Sequence, residues 1–232
     1  MMDKVAKTLF LFAKTRAVGK VVRICFAYCS FILPLKRIKE TPQVLVFYHP
    51  KPTYANHILI VPKKDIPNLL VFSQYPEYIT AVFTAAQDIV TGLNWEHGTY
   101  TLRANGGPRQ EVQQVHFHLS SENSPVQTPP SEAHTRIVNE GTGVKIVQYF
   151  QCDGSIHLVL IPQDEKRIQE IQGSSSHENQ VLKALLGALP LLDHQFHLTQ
   201  RGYTLIMDNL DPNNLSTLVG HIVAGISDQQ DH

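Results

Sequence analysis

The order of predicted strands and helices is repeated along the chain, and this repeat constrains the fold more than any other feature. Residues 44–62 read as a short apolar strand, a proline-rich turn and a second strand ending in proline, and residues 144–162 repeat that order. His57 aligns with His157, 100 positions later. Chance similarity between β-rich segments is the alternative, but the matched order of elements and matched residues favour a duplication.

Each second strand is followed by a predicted helix and a third strand. The first helix is predicted from an apolar stripe at helical spacing: Ile79, Val82, Phe83, Ala86, Ile89, Val90 and Leu93. The second stripe ends where Pro190 breaks it, after Leu182, Leu185, Leu186 and Leu189. The third strands are GTYTLRAN and GYTLIMDN, in which Tyr100 aligns with Tyr203 at an offset of 103. The pattern predicts an α+β fold.

The charge of the chain is balanced overall but uneven along its length. Twenty basic residues equal twenty acidic residues, so no net field favours nucleic acid as a partner. Residues 1–40 nevertheless carry nine lysines and arginines against two acidic residues, with apolar residues at helical spacing. We expect a basic amphipathic helical arm that either packs on the rest of the chain or makes peripheral contact with an anionic membrane.

Two features of the sequence bear on where the protein is located. Its longest charge-free run, 24–35, has twelve residues, whereas a spanning helix needs about 20. The three cysteines are an odd number without a recognisable secretory signal, which favours a reducing compartment. Cys25 and Cys29 have no histidine close in sequence, so buried thiols are favoured over zinc. The expected location is the cytoplasm, with membrane association as the alternative.

A predicted linker separates the two repeated units. Residues 121–135 contain three prolines and many small polar residues, which is typical of an irregular connection. The predicted organisation is therefore an arm at 1–40, a first unit at 41–123, a linker at 124–135 and a second unit at 136–232.

A pair of histidines lies near the end of the first unit, in RQEVQQVHFHLSS, 109–121. Polar and apolar residues alternate here, so a strand would place Gln114, His116 and His118 on one face. Imidazole titrates near pH ~6.5, so one ring can be a neutral nucleophile while its neighbour donates hydrogen bonds. Metal binding, and solvated histidines without a chemical role, are the alternatives.

These residues resemble the signature of the histidine triad (HIT) family of nucleotide hydrolases and transferases, GQEVxHxHxHL. The chain supplies, in order, Gln110-Glu111-Val112 and then Gln114-Val115-His116-Phe117-His118-Leu119. The stretch FYHPKPTYANHILIVPKKDI, 47–66, resembles an earlier block of the family. The resemblance covers about residues 41–123 and implies a HIT-like antiparallel sheet with a helix.

The resemblance assigns expected roles to five residues. His116 would attack the α-phosphorus and form a nucleotidyl-histidine intermediate that water resolves, which divides one difficult displacement into two easier ones. His118 would donate to the phosphate oxygens, where charge grows in the transition state. Gln110 would contact the phosphate or the leaving group, and Asn105 and His57 would shape the surrounding shell. The expected partner is a nucleotide substrate, and no metal or other cofactor is implied.

Three residues depart from the family pattern. Gln114 replaces the first histidine, whose role is to hold the nucleophile; a carboxamide can hydrogen-bond but cannot titrate. Arg109 replaces a glycine and adds a fixed cation that could meet an anionic leaving group or crowd it. His49 occupies the position of an aspartate that binds ribose hydroxyls. Phosphate chemistry is therefore expected more firmly than nucleoside recognition.

The second unit lacks the expected nucleophile. At the offset of 103, Gln114, His116 and His118 correspond to Thr217, Val219 and His221. Because family members generally pair as two-fold dimers, the resemblance implies that this chain forms an intramolecular pseudo-dimer, monomeric in solution, with one site. His221 is then more simply explained as a surface or hydrogen-bonded core histidine than as a ligand.

Three hypotheses for function follow. The first is an enzyme that hydrolyses or transfers a nucleoside monophosphate group from a dinucleoside polyphosphate, a nucleoside phosphoramidate or a nucleotide sugar. The second is a non-catalytic nucleotide-binding or interaction module with a decayed site. The third is an adaptor held at a membrane by the basic arm. The intact His116, His118 and Gln110 favour the enzyme, whereas Gln114 and His49 favour the binding module.

Overall fold

The computed structural model describes residues 35–95, 99–121, 135–140, 143–150, 154–163, 177–207, 210 and 218–225. Within these ranges ten strands form one antiparallel sheet. The strands are β1 (Arg37–Glu40), β2 (Val44–Tyr48), β3 (His57–Pro62), β4 (Thr101–Gly106), β5 (Phe117–Ser120), β6 (Thr135–Asn139), β7 (Val144–Phe150), β8 (Ile156–Pro162), β9 (Tyr203–Met207) and β10 (Gly220–Ala224).

The described α-helices are α1 (Pro76–Gly92), α2 (His177–Gly187), α3 (Leu189–Phe196) and α4 (Leu198–Arg201). Pro76 stands at the first position of α1, where its missing N–H costs nothing. Two 3-10 helices, Leu69–Gln74 and Gly107–Arg109, follow β3 and β4. Among the residues the structure describes, no helix is long and apolar enough to cross a membrane.

The order of the strands is symmetric about the centre of the sheet. The sequence of neighbours is β1-β2-β3-β5-β4-β9-β10-β8-β7-β6, so β4 and β9 join two halves of five strands each. The central pairing places Leu102 opposite Met207 and Ala104 opposite Leu205. Adding 103 to the number of Leu102 gives Leu205, and subtracting 103 from that of Met207 gives Ala104. The offset of 103 therefore relates the first pair to the second. The register therefore has the offset by which the two third strands align.

The two faces of the sheet are buried differently. Alternating residues of β3 illustrate this, since Ile58 and Ile60 belong to the main core with the helices, whereas Leu59 and Val61 belong to a second cluster. Leu45 and Phe47 complete that second cluster, against which Leu35 packs. His57 alternates with Leu59 and so lies on the face opposite the main core.

The elements predicted in both units occur as helices and strands. The predicted stripe residues of α1 from Ile79 to Val90 are buried, and the second stripe divides at Ala188, where α2 has ended and α3 begins with Pro190 in its first turn. One boundary is corrected: residues 37–40, predicted as part of the helical arm, form β1, because they hydrogen-bond to the edge of β2. The rest of the predicted arm, up to residue 34, lies outside the described residues.

Candidate functional site

Histidines from three segments come together on the sheet face opposite the main core. His57 begins β3, His118 lies in β5 opposite Leu59, and His116 immediately precedes β5. His49 follows β2 in the loop that returns to β3. The ring centroids of His57 and His118 are 5.1 Å apart, and those of His116 and His118 are 4.9 Å apart. The structure thus brings together four residues that the sequence predicted for the site.

The hydrogen bond made by His116 determines which of its nitrogens can act as a nucleophile. Its Nδ1 lies 2.7 Å from the main-chain carbonyl oxygen of Gln114. Because a carbonyl oxygen can only accept, Nδ1 carries the proton and donates it in this bond. The neutral ring therefore keeps its lone pair on Nε2.

A chain of hydrogen bonds likewise sets the tautomer of His118. The main-chain N–H of Thr53 donates to His57 Nδ1 at 3.3 Å, so His57 carries its proton on Nε2. That Nε2 lies 2.8 Å from His118 Nδ1, which must then accept. His118 consequently carries its proton on Nε2, a buried atom with no hydrogen-bond partner among the described residues. His118 thus holds a preformed donor for a ligand oxygen.

His49 lies against this chain of histidines. Its ring stacks on that of His57, with centroids 4.1 Å apart and planes only 4° from parallel. The main-chain N–H of Lys51 donates to His49 Nδ1 at 3.1 Å, which leaves the proton on Nε2. His49 therefore differs from a carboxylate at this position, because its Nε2–H is a hydrogen-bond donor, whereas a carboxylate only accepts.

All four rings are held in the neutral form. Burial is the main cause: it lowers the pKa of His49 and His116, lowers the pKa of His118 well below its ordinary value, and brings the pKa of His57 to about 3. Repulsion among the rings and from Arg103 lowers the pKa of His57 and His118 further. At neutral pH the site thus combines an unprotonated His116 Nε2, which keeps its lone pair, with neutral donors beside it.

Lowering the pH from about 7 to about 5 is expected to destabilise the fold. The pKa is about 3 for His57 and about 4 for His157 when folded, against ~6.5 when unfolded, so the unfolded chain takes up protons first. Stability is then present above about pH 6.5 and lost below it, by about 1 kcal/mol per such histidine per pH unit. Denaturant unfolding at stepped pH values measures this loss.

Removing one buried histidine tests the origin of this pH dependence. In the variant His157→Gln, stability should fall less steeply with decreasing pH than in the wild type, because one histidine with a lowered pKa is absent. Equal stability of the wild type at pH about 7 and about 5 would contradict the buried neutral state of these rings.

The side chain of Gln114 does not share a strand face with His116 and His118, which corrects the sequence-based prediction. The strand begins only at Phe117, and the Gln114 side chain is 1% exposed. Its Nε2 donates to the carbonyl oxygens of Pro62 and Lys64 at 3.1 and 2.8 Å, and its Oε1 accepts from Ile66 N at 3.4 Å. Because a buried main-chain group without a partner is costly, Gln114 stabilises the turn after β3 while its own carbonyl orients His116.

Three further predicted residues make contacts away from the histidine rings. The Gln110 amide nitrogen donates to the carbonyl oxygens of Pro67 and Val112 at 2.7 and 3.0 Å. Arg109 donates through Nη1 to Thr204 Oγ1 at 3.2 Å, and Asn105 Oδ1 accepts from the same hydroxyl at 2.9 Å. Arg109 and Asn105 therefore link the first half of the sheet to β9, and a phosphate-binding role for these residues remains a prediction.

Two residues beside the histidines were missed in the sequence. Arg103 pairs with His118 across β4 and β5, and its Nη1 donates to the Tyr54 hydroxyl at 2.9 Å. The signal for Arg103 was present: the alternation in TLRAN places Thr101, Arg103 and Asn105 on the face opposite Leu102. For Tyr54 no local pattern exists, because it lies in the irregular loop before β3.

The residues that could hold a metal ion are His49, His57 and His118, whose nearest ring nitrogens lie within 4.8 Å of one another. A metal ligates imidazole along a nitrogen lone pair, in the plane of the ring. The His49 and His57 rings are parallel and 4.1 Å apart, so one ion cannot lie in both planes. The rings would have to turn, and the hydrogen bond between His57 and His118 would have to break, before these residues could bind a metal.

The second half of the sheet contains a similar pair of histidines without a nucleophile. His157 Nε2 lies 3.3 Å from His221 Nδ1, in the arrangement of His57 and His118. The ring centroids of Tyr149 and His157 are 5.5 Å apart. Tyr149 occupies the position in the second half that His49 occupies in the first. Val219 stands where the offset of 103 would place the nucleophile, and Thr217 lies outside the described residues. His221 is hydrogen-bonded, in agreement with its interpretation from sequence.

Part of the chain is similar to a known protein family. The family model described as the HIT domain matches residues 32–124. An uncharacterized 13.2 kDa HIT-like protein of Azospirillum brasilense is 29% identical over 91 residues, covering 38% of this chain and 75% of that protein.

A solved structure resembles most of the chain. It is an ADP-glucose phosphorylase from Arabidopsis thaliana with bound ADP-glucose; the match has a TM-score of 0.52 and 12% identity, and covers 89% of this chain and 81% of the other. At that identity the likeness concerns the fold alone, a large antiparallel sheet with few helices. The model of the HIT domain thus matches the part of the chain, residues 32–124, that contains the histidine site.

Proposed function

We propose that this protein is a nucleotide hydrolase or nucleotidyl transferase that acts at the α-phosphate through His116. The substrate classes are a dinucleoside polyphosphate, a nucleoside phosphoramidate or a nucleotide sugar. The observation that carries the proposal is the hydrogen bond from His116 Nδ1 to the Gln114 carbonyl oxygen, because it leaves the Nε2 lone pair beside the buried N–H donor of His118.

The proposed reaction has two displacements. In the first, the Nε2 lone pair of His116 forms a bond to the α-phosphorus, and the bond from phosphorus to the leaving group breaks with its electron pair on the leaving group. In the second, water or another acceptor attacks phosphorus, loses a proton, and breaks the nitrogen–phosphorus bond. The neutral His118 donates to a phosphate oxygen in both steps. Neither step requires a cofactor.

The histidine pKa values support this chemistry. A protonated imidazole has no lone pair, so burial that lowers the pKa of His116 keeps the nucleophile competent at neutral pH. The Gln114 side chain, which cannot titrate, keeps the Gln114 carbonyl in place over the same pH range. Replacement of the first triad histidine is therefore compatible with activity.

The C-terminal half is proposed to be a degenerate HIT-like repeat that completes an intramolecular pseudo-dimer. Support comes from the symmetric strand order, from the register of β4 and β9, and from the repeated histidine pair. Pairing β4 with β9 covers two edges that would otherwise be exposed. Such a chain would act as a monomer with one reactive site per molecule.

A non-catalytic nucleotide-binding module is the second candidate. The observation that favours it is that Gln110 and Arg109, both expected at the phosphate, are hydrogen-bonded to other parts of this chain. In that case the same histidine site would bind nucleotide without turnover.

Turnover by wild type and variants distinguishes the two candidates. Each protein is incubated with adenylated and guanylated members of the three substrate classes, and the released monophosphate is measured by chromatography. We expect His116→Ala to reduce turnover about 10³-fold or more, because it removes the nucleophile. The exposed His194→Ala should retain wild-type rates. Nucleotide binding without turnover by the wild type across the panel would establish the binding module instead.

A further inference from the structure

The second cluster lies on the sheet face that carries the histidines. It consists of Leu45 and Phe47 from β2 and of Leu59 and Val61 from β3, and all four side chains are buried. His57 lies on the same face of β3, because it alternates with the buried apolar residues of that strand. The α-helices belong to the main core on the opposite face. Since an apolar sheet face is buried only under another layer, something other than these helices covers the second cluster.

The described part of the chain begins at this cluster. Leu35, its first residue, packs against the second cluster, but one leucine is too small to cover four large side chains on two strands. The main-chain N–H of Tyr48 donates to the carbonyl oxygen of Lys36 at 3.0 Å, and β1 runs antiparallel to β2. Residues 1–34 therefore join the sheet at the end of the second cluster that borders the histidines.

The second half of the sheet provides an internal comparison for this face. Phe47 pairs with Leu59, and 100 positions later Val147 pairs with Val159. Phe47 and Leu59 are 0% and 2% exposed, whereas Val147 and Val159 are 8% and 5% exposed. Ile137, opposite Val147 on the edge strand β6, is 53% exposed. The corresponding face is thus covered less completely, which is expected if the covering layer is attached to the first half alone.

The sequence that precedes Leu35 has the composition of such a layer. Its apolar residues recur at helical spacing, as expected for a helix with one buried face: Val18, Val21, Val22, Cys25, Cys29 and Ile32. A helix over residues 18–32 would be about 21 Å long, which is more than the width of the two strands of the second cluster. The segment is therefore long enough to cover the second cluster by itself.

We propose that residues 18–34 pack their apolar stripe on the second cluster and form a covering layer of this chain beside the histidine site. The segment closes the site on the side of β2, because it joins the sheet next to His49. Its apolar residues are then used within the molecule and are not available for contact with a membrane. The inference concerns packing alone and goes beyond the proposed function, since it holds whether or not His116 is a nucleophile.

Alkylation of the two cysteines in this segment tests the packing in the full chain. Iodoacetamide is added to the native protein and to the same protein unfolded in urea, and peptide mass spectrometry follows Cys25 and Cys29 separately. Both lie in the apolar stripe. We expect each to react at least about tenfold more slowly in the native protein, as it would if the segment were undocked in about one molecule in ten.

Substitutions on the two halves of the sheet locate the surface. Leu59→Ala shortens a side chain of the second cluster and should increase the alkylation rates of Cys25 and Cys29 several-fold, whereas Val159→Ala should leave both rates unchanged. Hydrogen exchange of α1, which packs on the opposite face, should stay as in the wild type and shows that the sheet is folded. Ile32→Ser changes the segment and not the sheet, and it should also increase both rates.

Four results would overturn the proposed packing. The first is alkylation of Cys25 and Cys29 at the unfolded rate in the native protein. The second is slow alkylation that Val159→Ala accelerates and Leu59→Ala does not, which would place the segment on the second half. The third is protection that is lost on dilution of a dimer detected by sedimentation, which would assign the segment to a second copy of the chain. The fourth is protection that appears only with vesicles of phosphatidylcholine and phosphatidylserine, which would assign it to a membrane.

Discussion

Replacing Gly106 with alanine is expected to lower the free energy of unfolding by about 3 kcal/mol, the upper end for overpacking a core. A Cβ atom at Gly106 would lie 2.2 Å from Tyr203 Cζ. The two residues are opposite each other in the pairing of β4 and β9, and Tyr203 is 1% exposed, so its ring has no free space into which to move. The junction between the two halves of the sheet would have to open.

Thermal unfolding measures this loss, with an expected fall in Tm of about 6–12 °C for a chain of this size. Gly92→Ala is the matched control: nothing lies within 4 Å of its added Cβ, and alanine is favoured in helices, so stability should stay equal or rise by up to about 1 kcal/mol. In a protein that already carries Tyr203→Leu, adding Gly106→Ala should lower the free energy of unfolding less than it does in the wild type. Wild-type stability of Gly106→Ala would contradict the close contact across the junction.

Replacing Gln114 with leucine is expected to have the second large effect, on stability and on turnover together. Leucine would leave the carbonyl oxygens of Pro62 and Lys64 and the N–H of Ile66 without their partner, at a cost of about 1–3 kcal/mol for each buried group. We expect a total loss of about 3 kcal/mol. Turnover should fall because the Gln114 carbonyl would no longer hold His116 in position.

The substitution Gln114→His gives a sharper comparison, since it restores the usual residue of the family. A neutral imidazole has one donor and one acceptor, whereas the turn after β3 uses two donors and one acceptor. We therefore expect Gln114→His to be less stable than the wild type by about 1 kcal/mol and no more active. Turnover increased by Gln114→His would instead indicate that Gln114 marks a decayed site. Denaturant unfolding and initial rates of the three proteins measure both effects.

Much of the fold could be predicted from local pattern. Strands such as Val44–Tyr48 and His57–Pro62 are short apolar runs bounded by turn residues, and the first long helix has a regular apolar stripe. The edge strand Arg37–Glu40 was missed because its sequence, RIKE, is polar and continues a basic region. It forms a strand because it pairs with β2, and such pairing overrides local propensity.

The candidate site was predicted less completely than the fold. The resemblance to the HIT family identifies His116, His118, His57 and His49, and these residues lie together. The partners that set their tautomers are main-chain groups of Gln114, Thr53 and Lys51, for which side-chain identity carries no signal. Contacts between distant segments, such as Arg103 with Tyr54, depend on the fold of the loop before β3 and could not be derived from spacing.

The altered first triad position therefore has a structural explanation. The Gln114 side chain hydrogen-bonds to the turn after β3, and its main-chain carbonyl accepts from His116. The substitution therefore leaves His116 with a hydrogen-bond partner. The second half of the sheet, in which valine stands at the corresponding position to His116, has no histidine there to replace it. If His116 is the nucleophile, every turnover requires a bond between His116 Nε2 and the substrate phosphorus.

Intact-mass spectrometry after rapid acid-free quenching tests that claim most directly. Wild-type protein mixed with a substrate that it turns over should gain the mass of one nucleotidyl group, which is a nucleoside monophosphate less one water, and peptide mapping should locate the group on His116. His116→Ala should gain no mass, whereas His194→Ala should gain the same mass as the wild type. Turnover by His116→Ala at the wild-type rate, or an adduct mapped to another residue, would contradict the account.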